Sequence, residues 1–318
     1  MITANPPAYR VVAACLRRSI IIVMAIAVAA NHASSASGRV LVTAQELGVA
    51  GRIYEFDDSG NLLGTMDETP GGAILSSIAT DGSRIIVAHA NNGFRQYTMA
   101  GDFFGQLPGL PSQSLVPIVE FDAGSNMYLI GAGAPRRLNP DGTTSVTFPL
   151  TGDVDGIDAD AAGNVYISLN GIRKYSPDGQ LLNTTPISGV TGDLAVDELG
   201  QTLYVMRGTN IGQGPVGEIL AYDISTPTPT FLHSIPGPPG MFGISFDPVS
   251  GNLFAANLFG GSAWEIATDG TVVQRYSIPG MNVLDVVAIR VPEISSLGML
   301  VTAIACGPLR RTRRARSA

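Results

Sequence analysis

Seven polar side chains fall at two fixed places in a repeating pattern, and those places decide what chemistry they could share. Asp193 and Asp285 each stand immediately before an apolar residue that opens a short strand pattern, and the matching places elsewhere hold Ser77, Ile118, Gly156 and Gly243. His89, Asn170, Arg207 and Asn257 stand just after the next strand of the same pattern, where another repeat has Gly131. Carboxylate and amide oxygens converging from several strands suit a hard cation such as Ca²⁺, which takes oxygen ligands almost exclusively. Asp193, Asp285 and Asn257 are the expected metal donors, and with Asn170 and Arg207 they form the expected ligand-binding mouth. The plainer alternative is a set of strand ends at a wet channel, and two glycines among six matching places favour it. The densest acidic run, Asp153, Asp155, Asp158 and Asp160, does not have the spacing of an EF-hand loop, and strand alternation sends Asp155 and Asp158 to opposite faces.

The elements that must position these residues come from a repeat. An apolar residue (Ile78, Val119, Ile157, Leu194, Ile244) precedes an Asp by three places (Asp81, Asp122, Asp160, Asp197, Asp247), and a Gly-containing turn then leads into an apolar or aromatic strand. These aspartates are 41, 38, 37 and 50 residues apart. A second marker ends a later strand with a turn closed by Gly60, Gly101, Gly142, Gly179 or Gly270, and only the fifth unit, around Tyr222, breaks it. Both markers are hairpin chemistry: the Asp or Asn side chain caps the turn, and Gly takes the positive φ. Two hairpins per repeat of about forty residues predict four-stranded propeller blades, since solenoids of that period show helical spacing. The strand 40–43 opens the chain's folded part without an inner partner. Residues 285–289 repeat the pattern of 193–197, so a C-terminal strand is expected to complete the first blade and close the ring, which removes exposed sheet edges. The expected fold is all-β, a six-bladed β-propeller spanning 39–290.

The segments Gly-Asn-Val-Tyr-Ile at 163–167 and Gly-Ile-Arg-Lys-Tyr-Ser-Pro-Asp-Gly at 171–179 resemble NHL-type propellers and the related regucalcin/gluconolactonase and streptogramin-lyase group. That resemblance implies a ligand at one mouth of the central channel, and either a lactonase with a Glu/Asn/Asp metal set or a lyase with a general base beside Mg²⁺. No Glu occupies the matching inner-strand place of any repeat. His89 is the one mouth residue suited to the base. His233 falls in an outer strand, and Trp264, the sole Trp, occupies a third-strand place expected to pack into the core. The longest insertions, 208–217 and 225–230, belong to the fifth unit, where loops on a rigid scaffold can carry recognition.

Residues 1–38 read as a secretory signal peptide: Arg10, Arg17 and Arg18 precede the apolar run 20–30, and small residues through Ala36 mark a cleavage site. At the other end, Val291, Pro292, Glu293, Ile294 and two serines precede an apolar run at 297–306 and five arginines, Arg310, Arg311, Arg313, Arg314 and Arg316. This order resembles the PEP-CTERM sorting signal. It implies an exosortase-type partner, a membrane contact before processing, and delivery to the envelope, outer surface or matrix of a Gram-negative-type bacterium. Ile294 stands where that motif usually has a second Pro. Between 39 and 290 there are 11 basic and 25 acidic residues, a net charge of −14. Such a surface repels phosphate backbones and excludes nucleic acid as a partner. Both cysteines, Cys15 and Cys306, lie outside that span, so the body offers no disulfide and no thiolate. The expected function is an exported binding or scaffold module for a surface protein or polysaccharide, with a metal-dependent lactonase or lyase as the alternative.

Overall fold

The hairpin repeats fold as six radial sheets. In the computed structural model the described residues run from Gly38 to Ile289, apart from 47–50, 69–73, 91–92, 108–116, 123, 132, 140–141, 151, 153, 190 and 208–216. The signal-peptide and sorting-tail segments, Asp153, and most of the insertion 208–217 therefore lie outside the described residues. All regular structure in them is strand.

Blade 1 orders β24 (Asn282–Ile289), β1 (Arg39–Gln45), β2 (Arg52–Asp57) and β3 (Leu62–Glu68) from the inside outward. Blade 2 holds β4 (Leu75–Thr80), β5 (Arg84–His89), β6 (Gly93–Thr98) and β7 (Phe103–Gln106). Blade 3 holds β8 (Ile118–Phe121), β9 (Met127–Ile130), β10 (Arg136–Leu138) and β11 (Thr144–Thr147). Blade 4 holds β12 (Gly156–Ala159), β13 (Val165–Ser168), β14 (Ile172–Tyr175) and β15 (Leu181–Thr185). Blade 5 holds β16 (Thr191–Asp197), β17 (Thr202–Arg207), β18 (Glu218–Asp223) and β19 (Thr230–Pro236). Blade 6 holds β20 (Met241–Asp247), β21 (Asn252–Asn257), β22 (Ser262–Ile266) and β23 (Val272–Ser277). The predicted closure is present: β24 pairs antiparallel with β1, setting Val42 opposite Val286 and Arg39 opposite Ile289.

The turns follow the chemistry expected from the repeat, with one addition. Asp122 and Asp160 each accept a hydrogen bond from a turn amide, Asn126 N and Asn164 N, both at 2.9 Å. Each also takes the hydroxyl of a tyrosine on the next strand, Tyr128 at 2.9 Å and Tyr166 at 3.0 Å. One carboxylate thus fixes the hairpin and satisfies a phenol buried in the blade. At the outer turn, Gly179 has φ +86°, and a Cβ there would lie 2.9 Å from Val146 Cγ1 of the preceding blade. Glycine is required both by the turn and by the close approach of the neighbouring sheet.

The core lies between blades rather than inside any one of them. Six apolar clusters occupy the six blade junctions; the one joining blades 6 and 1, for example, contains Phe254, Ala256 and Tyr276 with Val40, Val42, Tyr54 and Phe56. Each cluster needs both neighbours, so a ring lacking one blade would expose two apolar faces. Trp264 packs at the edge of the cluster between blades 5 and 6; it is only half-buried, with Arg275 over its ring at 5.0 Å.

Candidate functional site

The inner strand of every blade is a sheet edge, so every second amide points away from its own sheet toward the channel and the next blade. Unpaired and buried, each such amide would cost about 1–3 kcal/mol. Four side chains take one from each of the six inner strands. Asp285 accepts Val286 N of its own strand at 2.8 Å and Ile78 N of blade 2 at 2.9 Å. Ser77 accepts Val119 N of blade 3 at 3.3 Å. Asp158 accepts its neighbour Ala159 N and Val196 N of blade 5, both at 2.7 Å. Asp193 accepts Ile244 N of blade 6 at 3.0 Å. Ser245 adds a bond to the carbonyl of Val286 at 2.7 Å.

Local backbone geometry aims these groups. The register shifts within β4, β16 and β20, and between β24 and β1, all at the residue or two before the recurring strand pattern: Ser76, Gly192 with Asp193, Phe242 with Gly243, and Leu284. A bulge bends the strand and redirects the side chain beside it. The two glycines at matching places are explained by the aspartates of the following blades. A Cβ on Gly156 would stand 2.8 Å from the Cα of Asp193, and one on Gly243 would stand 2.6 Å from Asp285 Oδ1. Gly in one blade makes room for Asp in the next.

The channel therefore concentrates carboxyls. Burial pushes Asp158 up to about 8 against the pull of its two amides, with the Glu198 and Asp122 charges adding to the rise. Burial likewise raises Asp285 to about 7 against the Ile78 and Val286 amides. Asp193 is raised well above the carboxylate range by burial and then by the Asp285 charge; its Oδ1 is buried with no hydrogen-bond partner among the described residues. Glu120 is raised well above that range by burial and by the charges of Asp158, Asp285 and Asp193. Glu120 and Asp158 are half-buried, touching channel solvent while protein surrounds them on most sides.

Sequence reasoning reached Asp193 and Asp285 but passed over Glu120 and Asp158 as channel groups. They lie two residues further along their strands than the matching places, and residues i and i+2 share a strand face. Reading both positions would have found them. Asp155 lies outside strand β12 and is exposed, so strand alternation does not apply to it.

The remaining mouth residues are placed differently. His89 closes β5, fully buried, opposite Leu75 on one side and Gly93 on the other. It is not presented to the mouth. Arg207 is ion-paired with Glu218 across β17 and β18. Asn170 is exposed at φ +50° in the turn between β13 and β14, a conformation Asn tolerates better than most residues. Asn257 Oδ1 caps its own turn, accepting Phe259 N at 3.1 Å and Gly260 N at 2.6 Å. A resident Ca²⁺ or Mg²⁺ does not fit this donor set. An oxygen each of Asp193 and Asp285 holds a neighbouring strand and the Asn257 oxygen holds a loop, and no three His, Cys, Asp or Glu among the described residues are grouped to hold a metal.

No family model matches the chain, and no curated protein matches it. Solved structures do. A chain from a nidogen/laminin complex is 14% identical with a TM-score of 0.63, covering 80% of this chain and 99% of that one. A Bacteroides caccae protein of unknown function is 16% identical with a TM-score of 0.58, again over 80% and 99%. The WD40 β-propeller domain of Doa1 is 14% identical with a TM-score of 0.53, over 79% and 86%. At these identities the likeness is one of fold. With 1017 solved chains matching, it selects no activity.

Proposed function

We propose that this chain is an exported binding and scaffold module of the cell envelope or extracellular matrix. The observation that carries the reading is that the channel constellation closes the ring: one outward amide of each of the six inner strands is taken by Asp285, Ser77, Asp158 or Asp193. Side chains spent on fastening blades leave the propeller's surface, rather than its channel, as the working part. The pairing of Arg39 with Ile289 supports a tethered role, because it sets the two ends of the folded body side by side. On this reading the first 38 residues direct export, and the segment 291–318 is handled by an exosortase-type enzyme after a transient membrane contact. The ligand is a surface protein or polysaccharide.

Expression in an envelope-bearing bacterium with an epitope tag after Arg290, followed by fractionation and protease shaving, tests the location. Surface-exposed or released protein with a processed N-terminus is expected. Cytoplasmic retention at full length would end the reading. A lactone-hydrolysis screen with and without chelator tests the function, and chelator-sensitive turnover abolished by Asp193→Asn would replace the scaffold with a metal-dependent lactonase.

A further inference from the structure

Of the 13 large apolar side chains exposed among the described residues, twelve lie on one face. The antiparallel order places every turn between first and second strands, and between third and fourth strands, on the face opposite the channel mouth. Ten of the twelve are doublets at the start of the outer strands: Leu62 and Leu63, Phe103 and Phe104, Leu181 and Leu182, Phe231 and Leu232, Val272 and Val273. Neighbours along a strand point to opposite sheet faces, and both are exposed here because the sheets splay apart at the rim. Blade 3 alone breaks the series, with Thr144 and Ser145. Leu199, 85% exposed, and Val249, 70% exposed, sit in the inner turns of blades 5 and 6 and extend the apolar surface toward the axis. Phe259 is the exception, on the mouth side.

The same sector is acidic. The turns of blades 4 to 6 on this face hold Asp178, Asp197, Glu198, Asp223 and Asp269, besides the buried Asp247, with no Lys or Arg among residues 176–180, 197–201, 223–229, 247–251 and 267–271. Asp223 and Asp269 are held below the ordinary carboxylate range by hydrogen bonds from Ser225 and Thr271, so they stay charged. Apolar side chains interleaved with fixed negative charge are a poor match for a bilayer, whose interior and anionic surface both reject carboxylates. They match a partner presenting the opposite charge beside its own apolar groups. Exposed apolar surface repeated at equivalent places on five blades is more than single scattered side chains, which need no explanation.

We propose that the turn face of blades 4 to 6, centred on Leu199 and Val249, docks a basic polypeptide segment carrying apolar side chains. This deepens the scaffold reading and rests on it for the idea that the propeller works by binding.

The test uses the purified protein and a fluorescent ten-residue peptide of alternating Arg and Leu, followed by anisotropy. Two comparison peptides replace Leu with Ser or Arg with Glu, and phosphatidylcholine vesicles supply a lipid surface. Wild type should bind the Arg–Leu peptide at least about tenfold tighter than either comparison peptide. The double variant Leu199→Ser, Val249→Ser should lose about tenfold or more, while Phe259→Ser on the opposite face keeps wild-type affinity. All three positions are exposed, so the variants should melt with wild type. Equal affinity for the Arg–Ser peptide, full affinity in the double variant, or vesicle binding abolished by the same two substitutions would overturn the proposal. Peptide binding and cellular location are read separately, so failure of one leaves the other standing.

Discussion

Replacing Asp158 by Asn should make the protein less stable than wild type at pH 4 and more stable at pH 8. In the fold Asp158 titrates at about 8, whereas the unfolded chain releases that proton near the ordinary value of 3.8. The folded form therefore holds a proton the unfolded form gives up. Its contribution is full below about pH 4 and is lost as pH climbs toward 8, at no more than about 1.4 kcal/mol per pH unit. Between pH 4 and pH 8 the ceiling is about 6 kcal/mol, and because Asp158 touches channel solvent roughly half of that is expected. Asn keeps a carbonyl for the Val196 amide but turns its amide nitrogen toward Ala159 N, losing one hydrogen bond worth about 1 kcal/mol at every pH. The two stability curves should cross between pH 4 and pH 8. The variant should melt about 2–4 °C below wild type at the acid end and about 4–8 °C above it at the alkaline end. Thermal unfolding followed by circular dichroism across that range measures this. A constant offset with no crossing would mean that Asp158 is ionised throughout, and the account of the channel as a set of largely protonated fastenings would be wrong.

Three further outcomes follow from the same geometry. Gly243→Ala should destabilise by about 1–3 kcal/mol, because the new methyl meets Asp285 Oδ1 at 2.6 Å and the Leu284 carbonyl at 2.7 Å; an unchanged denaturant midpoint would show that the close approach is illusory. A chain ending at Gly280 lacks β24 and leaves the clusters beside blade 1 open, so it should aggregate or lose its cooperative melt; an unaltered melting temperature would contradict ring closure. Tyr128→Phe should cost about 1 kcal/mol or more by leaving an oxygen of Asp122 short of its phenol donor, while Asn139→Ala, at an exposed turn, should stay within about 0.5 kcal/mol, both measured by urea unfolding.

The architecture was legible because each hairpin is a local event. Asp122 with Asn126, and Asp160 with Asn164, are bonded within four residues, and the repeat of those contacts gives the blades directly. Ring closure was legible for the same reason, since residues 285–289 carry the pattern of the other inner strands. The channel was only half legible. That Asp193 and Asp285 meet the inner strands follows from the repeat. That Asp285 bonds an amide 207 residues away does not, because it depends on which way an edge amide points and on a bulge at Leu284. His89 illustrates the limit from the other side: its place in the repeat marked it for the mouth, but burial between β4 and β6 decides its environment. Gly156 and Gly243 read as evidence against a site, and their meaning appears only when the following blade is set beside them.

Amide hydrogen exchange in Asp193→Ala tests the fastening role most directly. The Ile244 amide, which donates to Asp193 in the wild type, should exchange at least about tenfold faster, while the Ile78 amide, held by Asp285, keeps its protection. Undiminished protection at Ile244 would show that the carboxylate does not secure blade 6, and the channel aspartates would have to be read as free for a ligand.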